Sequence, residues 1–264
     1  MQQRILITGA AGGVGTLMRP RLRREGRVLR LLDRVPPPPA EPGEAVETIT
    51  ADLTDPAAMA EACEGVDAVI HLGGHSRENS WEETLSVNVD GTHTVLEAVR
   101  QAGVRRVILA SSNHAVGFHP IDAAGPNGLP ADLPTRPDTY YGVSKAAIEA
   151  LGSLYHSRFG IDVICIRIGS LFERPSDVRG LSLWLSPDDG ARLFEACLSH
   201  PSPGYRVIWG VSANTRRLCS LAEAEDLGYQ PQDDAEKFAA EVADGVPSRY
   251  LGGPFTTALL GEPN

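Results

Sequence analysis

The sequence is short of several things, and each shortage closes off a class of protein. It has four cysteines in 264 residues, Cys63, Cys165, Cys197 and Cys219, far apart and in no CxxC or Cys/His grouping. Such spacing speaks against a disulfide framework and against a zinc site, so no metal is expected, and a reducing compartment is the simpler setting. No apolar run is long enough to span a bilayer. Met1 leads within three residues into a strand-like segment, without the apolar core or cleavage site of a secretory signal. Positive charge is short as well: 24 Lys and Arg stand against 34 Asp and Glu, a formal net charge of −10. Without a basic face the chain cannot neutralise the phosphates of a nucleic acid or an acidic membrane, whereas a small anion needs only one or two local cations. The expectation is a cytoplasmic protein that handles a small molecule, with no nucleic-acid or membrane partner. No internal repeat is present, and the one low-complexity run, Pro36 to Pro39, reads as a stiff surface loop after a strand.

What the sequence does have is alternation. Short apolar runs at Arg4–Thr8, Val28–Leu32, Glu47–Thr50, Ala68–Leu72, Arg106–Ala110, Asp162–Ile168 and Tyr205–Trp209 read as strands. Between them, Gly13–Glu25, Pro56–Cys63, Trp81–Ala102, Asp138–Phe159 and Pro187–Ser199 carry helical periodicity, with a further piece near Ala235–Val242. Strands rich in Val, Ile and Leu that are separated by helices imply an α/β fold, a Rossmann-type doubly wound parallel sheet covered on both faces. After about Leu171 the rhythm fades. We therefore expect a dinucleotide-binding core over residues 1–170 and a smaller substrate-capping region over 171–264, integrated with it as one structural unit.

The first strand runs into Gly9-Ala10-Ala11-Gly12-Gly13-Val14-Gly15 and then into a helix. A tight turn and close backbone approach require missing side chains, and a helix N-terminus offers N–H groups to a pyrophosphate. A glycine triplet alone is weak evidence; the strand before it, the helix after it and an acid downstream make it a dinucleotide site. That acid is Asp33, at the end of the second strand, where a carboxylate accepts from ribose hydroxyls and repels a 2′-phosphate. NAD is expected over NADP, with Arg34 as the residue that would accommodate a phosphate instead. Asp52 and Leu53 follow the third strand where adenine would lie, and Leu72-Gly73-Gly74 ends the fourth with paired glycines.

Tyr141 and Lys145 are four apart in a helical segment and share a face, which the pair Tyr140 and Lys145 does not. A lysine ammonium beside a phenol stabilises the phenolate, which can take a hydroxyl proton as hydride leaves. Ser112, at the end of the fifth strand, is the expected partner that orients the reacting oxygen; Ser111 points the other way. Asn88, inside the long helix, is expected to support the lysine through backbone or water contacts.

These motifs together resemble the extended short-chain dehydrogenase/reductase family over essentially the whole chain. The segments VDAVIHLGG (Val66–Gly74), ASSNH (Ala110–His114), YGVSK (Tyr141–Lys145), RIGS (Arg167–Ser170), SLWLSPDD (Ser182–Asp189) and WGVSAN (Trp209–Asn214) are most similar to its uronate-oxidising branch. The resemblance implies oxidation of cyclic D-glucuronate or D-galacturonate at C1 to the 1,5-lactone of the aldaric acid, with NAD+ as acceptor, and a homo-oligomer. Carried over, it makes Ser112, Tyr141 and Lys145 the catalytic set. Ser76, Asn113, His114, Ser170 and Arg179 become the sugar-acid ligands, together with Ser112 and Tyr141. Ile168 and Leu171 join the cofactor ligands Gly9, Gly12, Gly13, Val14, Gly15, Asp33, Arg34, Asp52, Leu53, Leu72, Gly73, Gly74, Asn88, Tyr141 and Lys145. Arg179 suits a substrate carboxylate through a bidentate pair, with Arg174 as a second cation nearby. Two other readings stand beside this one, a nucleotide-sugar epimerase or dehydratase of the same family and a non-catalytic NAD-sensing protein.

Overall fold

The computed structural model describes residues 2–242, 245 and 248–263. Strands β1 (Gln3–Thr8), β2 (Arg27–Asp33), β3 (Val46–Thr50), β4 (Ala68–His71), β5 (Arg106–Ser112) and β6 (Asp162–Ile168) alternate with helices α1 (Gly13–Arg21), α2 (Pro56–Cys63), α3 (Trp81–Glu83), α4 (Gly91–Gln101) and α5 (Tyr140–Phe159). Then come β7 (Ser170–Leu171), α6 (Gly180–Leu183), β8 (Trp184–Leu185), α7 (Pro187–Ser199), β9 (Tyr205–Gly210) and α8 (Ala222–Glu225). Seven strands form one parallel sheet in the order β3-β2-β1-β4-β5-β6-β9, while β7 and β8 make a separate two-residue ladder. β9, from the C-terminal part of the chain, therefore completes the edge of the main sheet beside β6.

Successive residues of each strand serve opposite faces. Ile5 and Ile7 of β1 pack with Ile164 and Ile166 of β6 under α1 and α7, through Met18, Leu22, Leu193 and Phe194. Leu6, Val69, Val107 and Val163 face the other way, under α2, α4 and α5, through Met59, Val95 and Ile148. Each such fully buried aliphatic side chain contributes about 1.5–3 kcal/mol, and because the seven strands of the main sheet all run parallel their C-terminal ends open on one edge. All four cysteines are buried free thiols.

Helix boundaries differ from expectation where local chemistry intervenes. α1 stops at Arg21 rather than Glu25: Pro20 lacks an N–H for the ladder, and Gly26, at φ 75°, turns the chain into β2. The helical run from Trp81 is not uniform. Thr84–Asp90 is a π turn in which the Gly91 N–H reaches back to Ser86 O, and Asn88 sits inside it. α5 begins at Tyr140, capped by Thr139, whose Oγ1 accepts from Gly142 N at 3.0 Å. The expected C-terminal helix is a short 3₁₀ turn over Ala235–Phe238. Among the described residues no helix is long and apolar enough to cross a membrane.

Candidate active site

The strand ends place the sequence-singled residues along one edge of the sheet, around the β1/β4 crossing where the strand order reverses. The glycines there do different things. Gly9, at φ 69°, leaves no room for a side chain: a Cβ would lie 2.6 Å from Gly73 N. A Cβ at Gly15 would collide with Gly9 O and Ala10. At Gly13, by contrast, a Cβ would meet no protein atom within 4 Å. Internal packing thus explains Gly9 and Gly15 but not Gly13, whose missing side chain leaves open space at the first turn of α1, where a phosphate would sit.

Asp33 accepts from Ala11 N at 3.0 Å and Val35 N at 3.1 Å, which fixes the carboxylate over the glycine loop. Asp52 accepts from Thr54 N and Oγ1 at 2.9 and 2.8 Å, and these bonds hold its carboxyl below the usual range. With Gly12, Arg34, Leu53 and Gly73 they line a cavity of about 340 Å³. Leu53 packs beneath Gly73, where a Cβ would lie 2.5 Å from Leu53 Cδ1. This cavity shares Gly9, Gly12, Leu72, Gly74 and His75 with a second one of about 620 Å³, so the two form one continuous groove. An acid at the β2 end, a side-chain-free phosphate turn and a second chamber beyond it fit a dinucleotide.

Underneath lies a closed chain of hydrogen bonds. Gly73 N–H donates to Thr8 Oγ1 (3.3 Å), which bonds His71 Nδ1 (2.7 Å); His71 Nε2 bonds Thr92 Oγ1 (2.9 Å), which donates to Asn88 O (2.6 Å). The Thr92 hydroxyl spends its proton on Asn88 O, so His71 Nε2 donates to it; burial keeps the ring neutral, which leaves Nδ1 to accept from Thr8. Burial pushes this histidine down to about 3.

The second chamber collects Ser112, Tyr141 and Lys145, along with Val14, Ile168 and Leu171. Lys145 Nζ lies 5.5 Å from the centre of the Tyr141 ring and donates to Ala110 O at 2.7 Å. Burial pushes Tyr141 up to about 12, against the Ser112 hydroxyl, which draws it down; burial also lowers Lys145 to about 8. Ser111 points into the opposite layer and donates to Glu149 at 2.5 Å, beside Arg167. One signal passed over at the level of sequence supports Lys145: the chain has only two lysines, Lys145 and Lys237, against 22 arginines. A buried guanidinium stays charged, whereas an ammonium titrates near neutrality.

Ser76, Ser170, His114 and Arg179 line the same chamber. Asn113 does not reach it. In the amide orientation that satisfies its neighbours, its nitrogen donates to Gly169 O and Ile168 O, and its oxygen accepts from Arg179 Nη2 at 2.6 Å. Arg179 Nε also donates to Leu251 O at 3.1 Å, so the guanidinium is braced from two sides. Arg174 lies apart, on the surface, paired with Glu241 at 2.6 Å. Asn88 also lies off the groove and does not bond Lys145: its side chain holds the His75 backbone and donates to Ser144 Oγ at 2.9 Å, tying the β4 loop to α5. The structure adds residues for which the sequence carried no signal. Phe255 stacks on His114, with centroids 4.0 Å apart, and Glu78, buried, accepts from Tyr141 N and Gly261 N, both at 2.9 Å. Asp138, which reads in the sequence as the start of a helix, bonds His114 instead.

Comparison with known proteins is consistent with this layout. Residues 5–177 match the model of the NAD dependent epimerase/dehydratase family. A uronate dehydrogenase from Pseudomonas putida is 44% identical over 262 residues, which cover 97% of this chain and 96% of the relative. Among solved structures, a mutant uronate dehydrogenase from Agrobacterium tumefaciens complexed with NAD superposes with a TM-score of 0.90 at 37% identity, covering 98% of each chain. A glucuronic acid dehydrogenase from Chromohalobacter salexigens gives 0.91 at 38% identity, again over 98% of each.

Proposed function

The chain belongs to the NAD dependent epimerase/dehydratase family, and from that premise we propose that it oxidises cyclic D-glucuronate or D-galacturonate at C1 to the aldaric acid 1,5-lactone. The observation that carries the reading is Arg179, a cation braced by Asn113 and Leu251 in the chamber that also holds Tyr141. It suits a single substrate carboxylate.

Ser112 donates a hydrogen bond to the C1 oxygen and orients its proton toward Tyr141 Oη, which takes it. Burial opposes the phenolate this requires. Bringing the phenol from about 12 to a working value near ~7 needs roughly 7 kcal/mol. Lys145, an ammonium below about pH 8 whose Nζ lies 5.5 Å from the ring centre, supplies part of this. NAD+ held in the groove would supply the hydride acceptor and further positive charge from its nicotinamide ring. Gly12 and Gly13 would hold its pyrophosphate and Asp33 its adenosine ribose, a carboxylate that favours it over NADP.

Exposed Trp81 and Leu85, together with Val143 and Leu154 on one stripe of α5, support a homo-oligomer, and buried free thiols suit the cytoplasm. The test is NADH release from both uronates, with the neutral hexoses as controls. Arg179→Ala should raise KM for uronates about a hundredfold, in keeping with a lost charge-assisted pair. Turnover only with nucleotide-sugars, or an unchanged KM, overturns the reading.

A further inference from the structure

Asp138 is a fully buried charge, and nothing in the proton transfer above uses it. Its side chain is 0% exposed. Glycines from three separate segments make room for it: a Cβ at Gly117 or Gly252 would collide with the carboxylate, and one at Gly142 would lie 2.9 Å from Oδ1. Gly252 N–H donates to Gly117 O at 2.9 Å, closing the two segments around it. Among the described residues no lysine or arginine bonds it. Oδ1 accepts from Thr139 Oγ1 at 3.0 Å, and Oδ2 faces His114 Nδ1 at 2.7 Å. Arg179 is near enough to feel its charge but does not bond it. A carboxylate taken out of water without a bonded cation is costly unless its hydrogen bonds repay it, and the shortest of these goes to an imidazole that lines the substrate chamber.

A carboxylate can only accept, so His114 must carry its proton on Nδ1. Phe255, stacked at 4.0 Å and 29°, and the edge of Tyr141, at 5.7 Å, keep the ring from turning over. Nε2 has no protein partner among the described residues. We propose that Asp138 is the positioning residue of the substrate end, holding His114 as the Nδ1–H tautomer so that Nε2 offers a lone pair to a ring hydroxyl of the sugar acid while Arg179 takes its carboxylate. The ligand's identity rests on the uronate reading; the tautomer does not.

The arrangement has a consequence for specificity. Burial lowers His114 despite Asp138, so the ring is neutral and its exposed nitrogen repels anions. A sugar acid bound the wrong way round would set its carboxylate against this lone pair. His114 and Arg179 thus differ in hydrogen-bonding character within the one chamber, an acceptor at the first and donors at the second.

The tautomer can be seen directly. In the full chain labelled with ¹⁵N-histidine, the His114 signals (assigned by their loss in His114→Gln) should show a protonated Nδ1 and an unprotonated Nε2 at pH 7. In Asp138→Asn, Thr139 still donates to the amide oxygen, which turns the amide NH2 toward His114 and moves the proton to Nε2. KM for uronates should then rise tenfold or more, with a smaller change in kcat and an unchanged Kd for NAD. A wild-type spectrum with the proton on Nε2 overturns the proposal even if the variant fails to fold. So does a reversed tautomer that leaves KM unchanged. The expected spectra in a protein that turns over no uronate would uphold Asp138 and remove the uronate reading instead.

Discussion

The two ends of the groove are built by opposite means. At the cofactor end the working surface is backbone: Gly9, Gly12, Gly13 and Gly73 contribute by lacking side chains, and one acid, Asp33, does the selecting. At the sugar end the surface is side chain on side chain, with Asn113 bracing Arg179, Asp138 holding His114 and Phe255 closing over the top. Each end also has a histidine of fixed tautomer, fixed differently. His71 is held between two threonine hydroxyls, with its proton on Nε2; His114 is held by a carboxylate, with its proton on Nδ1. The general feature of a dinucleotide, its phosphates, is met by peptide N–H groups that any sequence possesses. The particular features of one sugar acid have to be met by particular side chains.

Three substitutions probe that division. Tyr141→Phe should have the largest effect, lowering kcat by about a thousandfold or more as the proton acceptor is lost, while Kd for NAD measured by titration stays within about twofold. A large loss of NAD affinity would mean that the two ends are not separable. Gly13→Ala should act on the cofactor end alone. Because the added methyl meets no protein atom, the cofactor-free protein should gain about 0.5–1 kcal/mol from the better helix former. NAD should nevertheless bind about tenfold more weakly, because the methyl enters the phosphate space. Unchanged NAD affinity would show that the pyrophosphate lies elsewhere.

The smallest effect concerns His71. Its folded value lies far below the ordinary 6.5, at about 3, so the stability it contributes is present above 6.5 and lost as pH falls toward 3. Urea melts should show a loss of about 1 kcal/mol between pH ~6.5 and ~5.5 that is absent in His71→Gln. Equal slopes in the two proteins would mean that His71 is not held neutral.

The same division decides what could be read from the sequence. The cofactor end was legible because its residues are close together and their chemistry is generic. Apolar strands run into glycines, an acid ends the next strand, and a tyrosine and a lysine stand one helical turn apart. The sheet itself was legible because Ile5 through Ile7 and Val163 through Ile166 are buried on both faces, and such runs have few alternatives. The π turn at Asn88 was not, because it depends on tertiary anchors: Asn88 bonds His75, thirteen residues back, and Ser144, 56 residues on. Asp138 stands in the sequence only as the first residue of a helical segment. An acid just before a helix usually caps it; here Thr139 does the capping, and the acid's partners lie around Gly117, 21 residues before it, and Gly252, 114 residues after it. No local pattern in the sequence announces a carboxylate whose pocket is assembled from three glycines.

The four thiols give the molecule a further use. Cys63 lies in α2, Cys165 in the sheet, Cys197 in α7 and Cys219 beyond β9, all inaccessible in the closed protein. Burial raises all four, Cys63 least, to about 11, so each is silent toward an alkylating reagent until its surroundings part. Pulse alkylation followed by peptide mapping would therefore time the opening of four separate places in one unmodified chain, a clock that needs no engineered label.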